Sequence, residues 1–457
     1  MIKRLLSIVT ICGFGAMALG QQTPPIQPKT VDTPKLTPLV LPGMPAKGEI
    51  VANAPLTAAE AVRIALAHQP QVTIVKANAD AAHGVTIQTQ SQLYPTVTVT
   101  GGGTHAQSFQ TGSSGLVTGV QSQMSSDIEL NQLVFDFNKT RDMVRQSQAS
   151  ERALYRTYDQ TLQDVALQAK QDFYGYVQAQ QQSKVQQANV ESRQAQVDLT
   201  QAQVNAGTGE PQDLVSAKTL LAQGVITLLQ AQQAEKTALV KLNTDMGIDP
   251  RTPLVIAPSS ETDVTLPPDY NNLVDSALKQ RPSILSAIES LRAAGYGVSV
   301  ARKTDVPSIN FQAGFETFGA NNPFETQNGF VSLTLTWTLL DGGLQLGKVK
   351  QAKAEQTAAA ATLKQTSLSV IQDVSNAVVG VQAARQQIPI ANAEVVDAQE
   401  GVRIATGSYR AGVTTFQTVI TAQAALVQAQ TDQVNAVAAL ATALSTLDHA
   451  IGKWPLN

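Results

Sequence analysis

Residues 331–339 read Val-Ser-Leu-Thr-Leu-Thr-Trp-Thr-Leu. Val331, Leu333, Leu335, Trp337 and Leu339 take one parity; Ser332, Thr334, Thr336 and Thr338 take the other. A period of two puts the apolar set on one face of a strand and the hydroxyls on the opposite face. Over nine residues this is the pattern of a tilted membrane strand with lipid outside and water inside, and also of a half-buried strand in a soluble sheet. The residues after the strand change both direction and period. Leu340-Asp341-Gly342-Gly343 breaks the chain direction, and the run from Leu344 to Tyr409 then holds a single interruption, Pro389. A helix of that length is far beyond the globular norm and needs neighbours along its whole length.

The same order of signals occurs upstream. Val97 and Val99 alternate with Thr96, Thr98 and Thr100, and Ile128 and Leu130 alternate with Asp127, Glu129 and Asn131. Leu133-Val134-Phe135-Asp136 precedes a run from 138 to 205 without proline. Ile309, Phe311, Ala313 and Phe315 mark a further alternating segment. The chain is thus a duplication. Pro282 lies 212 residues after Pro70, and Pro307 lies 212 after Pro95. From Asp136 onward the separation is 205, linking Asp136 with Asp341, Gly207 with Gly412 and Gly247 with Gly452. A single deletion in a helix rotates its face by about 100°, so a gapless match of this length describes paired helices. Steps of four and three through Leu214, Lys218, Leu221, Val225 and Leu228, and through Val419, Gln423, Leu426, Gln430 and Gln433, predict a heptad seam on each return helix.

Composition narrows the class. The 457 residues carry a net charge of −3, with 43% hydrophobic but only 5% aromatic and 15% charged residues. That balance gives no field for nucleic acid. Past the N-terminus no run of some 18 apolar residues stands out as a spanning helix. His68, His83, His105 and His449 lack ligand spacing, and Gly101-Gly102-Gly103 lacks the lysine of a phosphate loop, so no catalytic, metal or cofactor site is expected. Met1–Gly20 has a basic start (Lys3, Arg4), an apolar centre and small residues at its end, the pattern of a secretory signal. The one cysteine, Cys12, lies within it, so no disulfide is expected in the exported chain. Eight prolines between Pro24 and Pro55 predict an extended arm.

The expected organisation is a signal peptide at 1–20 and a Pro-rich arm at 21–55. Repeat 1 spans 56–255, with strands at about 94–110 and 121–136, a long helix at about 138–205 and a return helix at about 211–247. Repeat 2 spans 256–457, with strands at about 307–318 and 329–341, a long helix at about 344–409 and a return helix at about 415–452. Pro95, Asp136, Pro307, Asp341, Gly342 and Gly343 mark the passages between helix and strand. The fold class is mainly α with membrane β. Four strands cannot close a barrel, and open edges are not tolerated in lipid, so if these strands lie in a membrane several chains must share one barrel.

These features resemble the TolC family of outer membrane efflux proteins. The resemblance rests on the LTAAEAVRIALAHQP opening at 56–70, the Tyr94-Pro95 strand start, the LVFDFNKTR and LLDGGLQLGKVKQA passages, the helical turns at Gly207 and Gly412, and the duplication itself. It implies a homotrimer whose twelve strands form an outer-membrane barrel, continued by a long periplasmic α-helical barrel. It implies the passive exit duct of a tripartite efflux or type I secretion system, working with a periplasmic adaptor and an inner-membrane pump of the RND, ABC or MFS type, in contact with outer-membrane lipid. It places adaptor-docking tips at Gly207, Thr208 and Gly209 and at Gly412, Val413 and Thr414. The family's gate positions match Tyr409, Thr418 and Thr421, with Asp213 at the Thr418 equivalent of the first copy; a hydrogen bond from Tyr409 to Asp213 is expected. Two further classes fit parts of the pattern: a trimeric surface fibre, which requires continuous heptads and one anchor, and a soluble periplasmic coiled-coil binding protein.

Overall fold

The computed structural model describes residues 55–112, 115–256, 270–320 and 323–454. The expected signal peptide and all of the arm but Pro55 lie outside the described residues. Each half begins with a short helix and a proline. Thr57 caps α1 (Ala58–His68), its hydroxyl accepting the Glu60 N–H at 3.2 Å. Pro70 opens α2 (Pro70–Ser91) at a position where a missing N–H costs nothing. The second half repeats this with α5 (Tyr270–Gln280) and α6 (Pro282–Arg302).

Pro95 and Pro307 stand immediately before β1 (Thr96–Gly112) and β3 (Ser308–Gly319), which pair with β2 (Gly115–Phe135) and β4 (Thr326–Thr336). All four strands form one antiparallel sheet in the order β1-β2-β3-β4. The register joins Val97, Leu130, Ala313 and Val331 into one row across the sheet, and Thr100, Asp127, Glu316 and Asn328 into a row on the opposite face. The apolar parity of every strand therefore falls on one face. Val97, Val99, Ile128, Val331, Leu333 and Leu335 on it are solvent-exposed, as befits a surface built for lipid.

Two strand boundaries differ from the sequence reading by five residues or more. β2 starts at Gly115 rather than near 121, because the Gly/Ser-rich segment read as a connection pairs with β1 up to Gly112↔Gly115. β4 ends at Thr336 rather than 341. Its partner β3 begins at Ser308, after a proline that has no N–H to offer, so the ladder stops at Ser308↔Thr336.

Two 67-residue helices carry the sheet: α3 (Lys139–Asn205) and α7 (Leu344–Arg410), each about 100 Å long. α7 runs through Pro389. The return helices are α4 (Pro211–Asp245) and α8 (Phe416–Ala450). Along its first half α3 lies between α2 and α6; along its second half it lies between α4 and α8. Polar cross-links fix this order: Tyr155 to Asp80 at 3.0 Å on the α2 side, and Arg152 to Glu289 at 2.8 Å on the α6 side. Both levels are thus four helices wide, α2-α3-α6-α7 near the sheet and α4-α3-α8-α7 away from it.

The helix seams correct the expected heptads. Leu214, Leu221, Leu228 and Leu242 do face inward, but the alternate positions are the small residues Ala217 and Gly224, not Lys218 and Val225. In α8 the buried pair is Ala429 and Ala436, not Gln430 and Gln433. Small side chains let the backbones approach closely. At Gly224 the space is taken by a side chain: a Cβ there would sit 2.9 Å from Arg193 Cδ of α3. Contrary to the expectation that no such run occurs past the N-terminus, α4 contains an 18-residue window of mean hydropathy 1.3, apolar enough by composition for a membrane span. It pairs along α3 as one half of a hairpin.

Where each return helix ends, both repeats build a joint. Gly247 (φ +72°) and Gly452 (φ +75°) are helix-ending glycines in the left-handed region. Gly247 packs on the His68–Gln69 peptide and Gly452 on Arg281, the residues before Pro70 and Pro282. Beneath the joints lie two cores, one around Val62, Phe173, Leu242 and Met246, the other around Val374, Val381, Leu440 and Leu447.

Candidate functional site

The ends of the helical hairpins farthest from the sheet bring together residues nearly 200 positions apart. α3 stops because Gly207 (φ +72°) turns the chain left-handed, and the Thr208 and Gly209 N–H groups both donate to the Gln203 carbonyl at 3.0 Å. α7 stops in the same way: Gly412 has φ +70°, and the Val413 N–H donates to the Ser408 carbonyl at 2.9 Å. Nothing crowds a Cβ at Gly207 or Gly412, so backbone conformation alone selects glycine there. Gly209 differs, since its Cβ would meet Gln203 Cβ at 2.8 Å. Val413 projects into solvent, 77% exposed, and the Thr414 hydroxyl is buried without a hydrogen-bond partner.

One turn above these ends the two hairpins are tied together. The Tyr409 hydroxyl on α7 donates to Asp213 Oδ2 on α4 at 3.0 Å. The Tyr409 ring leans on Phe416 of α8, with centroids 5.6 Å apart, above an apolar cluster that includes Val197 and Ala217. Burial, and then the bond to Asp213, push the Tyr409 hydroxyl up to about 12, so it stays a donor throughout the physiological range. Thr418 and Thr421 do not join this contact. Both are exposed on α8, and the Thr421 hydroxyl returns to its own helix, to the Gln417 carbonyl at 3.0 Å.

At the sheet end, the two aspartates cap the long helices from two residues before the N-cap position. Asp136 Oδ2 accepts the Thr140 N–H at 2.6 Å; Asp341 accepts the Gly343 and Gln345 N–H groups at 2.9 and 2.5 Å. The Gln345 and Gly343 amides hold the Asp341 carboxyl below its usual range. The passage itself is made by Gly342 and Gly343 (φ +65° and +92°) in the second half, but by Phe137 and Asn138 (φ +55° and +62°) in the first. Among the described residues no group of three or more His, Cys, Asp or Glu is placed to hold a metal.

Sequence reasoning missed Arg193, Phe416 and Gln203 at this end of the molecule. Gly224 is the trace that could have found Arg193: a glycine in mid-helix signals a close approach from outside.

One apolar-faced sheet of four strands, standing on antiparallel helices about 100 Å long, defines an outer-membrane channel protein. The family model described as "Outer membrane efflux protein" matches residues 61–247 and 273–453, and the chain belongs to that family. Among its relatives, "Protein CyaE" of Bordetella pertussis is 26% identical over 332 residues, covering 71% of this chain and 69% of that protein. "Outer membrane protein TolC" of Escherichia coli is 24% identical over 385 residues, covering 80% and 76%. Among solved structures, the outer-membrane channel OprN superposes with a TM-score of 0.78 at 20% identity, over 87% of this chain and 90% of that one. CusC superposes with a TM-score of 0.79 at 16% identity, over 90% and 98%. The chain is an outer-membrane efflux channel with a large periplasmic portion, in a family of channels rather than enzymes.

Proposed function

We propose that three copies of this chain close into the exit duct of a tripartite efflux or type I secretion system. The observation that carries this reading is that the protomer is open on the same two sides at both ends. β1 and β4 are edge strands with unpaired backbone groups, which lipid does not tolerate. Below them, the flanking helices expose apolar rows: Ile74 and Val85 on α2, Ile226 and Leu229 on α4, Val379 and Ile390 on α7. Joining the α7/β4 side of one copy to the α2/α4/β1 side of the next pairs the edges and covers these rows. Three copies supply twelve strands, enough for a barrel with an open lumen, embedded in outer-membrane lipid through its apolar face.

The turns at Gly207–Gly209 and Gly412–Thr414 are then the periplasmic tips that dock on an adaptor, itself bound to an inner-membrane pump of the RND, ABC or MFS type. The Tyr409–Asp213 bond is a latch that holds the two hairpins in the closed arrangement, with Thr418 and Thr421 lining the aperture without a ring of charge. Bilayer conductance tests the latch: Asp213→Asn and Tyr409→Phe raise the open-channel current, and unchanged currents in both remove the gate from this position. Replacing Gly207 and Gly412 together with valine leaves trimers intact and abolishes export; normal export removes the docking role.

A further inference from the structure

Beside the latch, where the two hairpins meet, lies a cavity of about 130 Å³. Ala217 and Leu220 of α4 and Phe416, Val419 and Ile420 of α8 give most of its lining an apolar character; Arg193 and Gln196 of α3 and Gln423 of α8 are its polar members. An apolar cavity of the order of 150 Å³ accommodates one benzene ring. Arg193 supplies the polar handle. Its Nε donates to Asn189 Oδ1 at 3.1 Å and its Nη1 to the Leu220 carbonyl. Both partners are neutral, and among the described residues no Asp or Glu pairs with it. Gly224 leaves the room that Arg193 occupies. Burial pulls the guanidinium below its usual value, the mark of a cation desolvated without a counter-charge.

We propose that this cavity is a binding site for a small aromatic carboxylate, with the ring among Ala217, Leu220, Phe416 and Ile420 and the carboxylate against Arg193. The ring fills apolar space. The carboxylate supplies the missing counter-charge through charge-assisted hydrogen bonds in a planar, two-armed geometry that guanidinium favours. The site stands on its lining and does not depend on the gate reading. Because α3, α4 and α8 all line it, its occupant ties the two hairpins together, so conductance in the presence of the ligand reports on the gate separately.

The test is titration of the full-length protein in detergent with sodium benzoate, followed by calorimetry, with benzyl alcohol and sodium acetate alongside. Benzoate binds saturably at one site per chain, benzyl alcohol about ten-fold more weakly, and acetate not at all. Arg193→Gln lowers benzoate affinity about ten-fold to that of benzyl alcohol and leaves benzyl alcohol unchanged. Ala424→Leu, which narrows the cavity from α8 without touching Arg193, weakens both ring compounds. This second variant keeps the test decisive if Arg193→Gln does not fold. Absence of saturable benzoate binding, equal binding of acetate, or wild-type benzoate affinity in Ala424→Leu overturns the site.

Discussion

The two joints at the ends of the return helices share one backbone and carry different charges. In the first, Gly247 is pressed on the His68 carbonyl, and the surrounding charges include two acids and a lysine: Lys241 Nζ lies 2.5 Å from Asp172, with Asp245 beside them. In the second, Gly452 packs on Arg281, which pairs with Asp373 at 2.7 Å, while His449 pairs with Asp164 at 2.7 Å. The positions matching Asp172 and Asp245 are Ala377 and Ala450. Duplication has kept what the chain direction requires, a left-handed glycine against the residue before a proline, and has let the electrostatics diverge.

The joints differ most in how tightly their glycines are held. A Cβ on Gly247 would lie 2.6 Å from the His68 carbonyl carbon; on Gly452 the nearest atom is Arg281 Cα at 3.1 Å. Both carry the strain of a left-handed side chain, but only Gly247 is overpacked against an unyielding peptide. Gly247→Ala costs about 3 kcal/mol and Gly452→Ala about 1.5 kcal/mol, read as a larger fall in thermal midpoint for the first. Equal falls would mean that the joints are not distinct in packing.

Between these two in size is Arg281→Met. Arg281 is 7% exposed and its Nε has no partner, so the Asp373 pair is its chief polar compensation. Removing the guanidinium leaves Asp373 partly exposed and able to rehydrate, which limits the loss to about 2 kcal/mol. Gln69 holds the matching place in the first joint, where its amide donates to the Asp245 carbonyl at 3.3 Å. Gln69→Met therefore costs less, about 1 kcal/mol.

The acid pair separates the repeats by pH. The hydrogen bond with Asp172, then burial, push Asp245 up to about 6. Burial also acts against Asp172, but bonds from Asp245, Lys241 and Gln168 hold it below its usual range. A raised carboxyl stabilises the fold while protonated, and that contribution disappears as pH rises through the folded value. The midpoint therefore falls between about pH 4 and 6 in the native protein, and Asp245→Asn flattens the fall. An unchanged slope in that variant would place the titration elsewhere. The latch gives an effect as small as that of Gln69: Tyr409→Phe removes one hydrogen bond and lowers stability by about 1 kcal/mol.

How far the sequence revealed this architecture depended on what marked each feature. Prolines and glycines betrayed the duplication, because Gly247 and Gly452 hold left-handed backbone that other residues adopt only at a cost, and Pro70 and Pro282 open helices where the missing N–H costs nothing. Alternation betrayed the sheet face, since Leu333 and Leu335 have large side chains. The seams were legible only in part: Leu214 and Leu228 announced themselves by size, while Ala217, Gly224 and Ala429 sit at equally buried places and look like filler. The Tyr409–Asp213 contact spans two hairpins, so no local pattern contains it, and it came only through the family resemblance. The Arg193 cavity needs three helices at once and left no trace beyond Gly224.

A four-stranded sheet that is one third of a closed ring must bring β1 of one copy beside β4 of the next. Single cysteines at Val99 on β1 and Leu333 on β4, introduced together into one chain, measure this directly. Within a protomer these edge strands are three strands apart, about 14 Å, too far for a disulfide. With a small panel of neighbouring β4 positions to match the register, oxidation in intact outer membranes yields a covalent trimer on non-reducing gels. Only monomers across the whole panel, or an open ladder of higher oligomers, would show that three sheets do not close into one barrel.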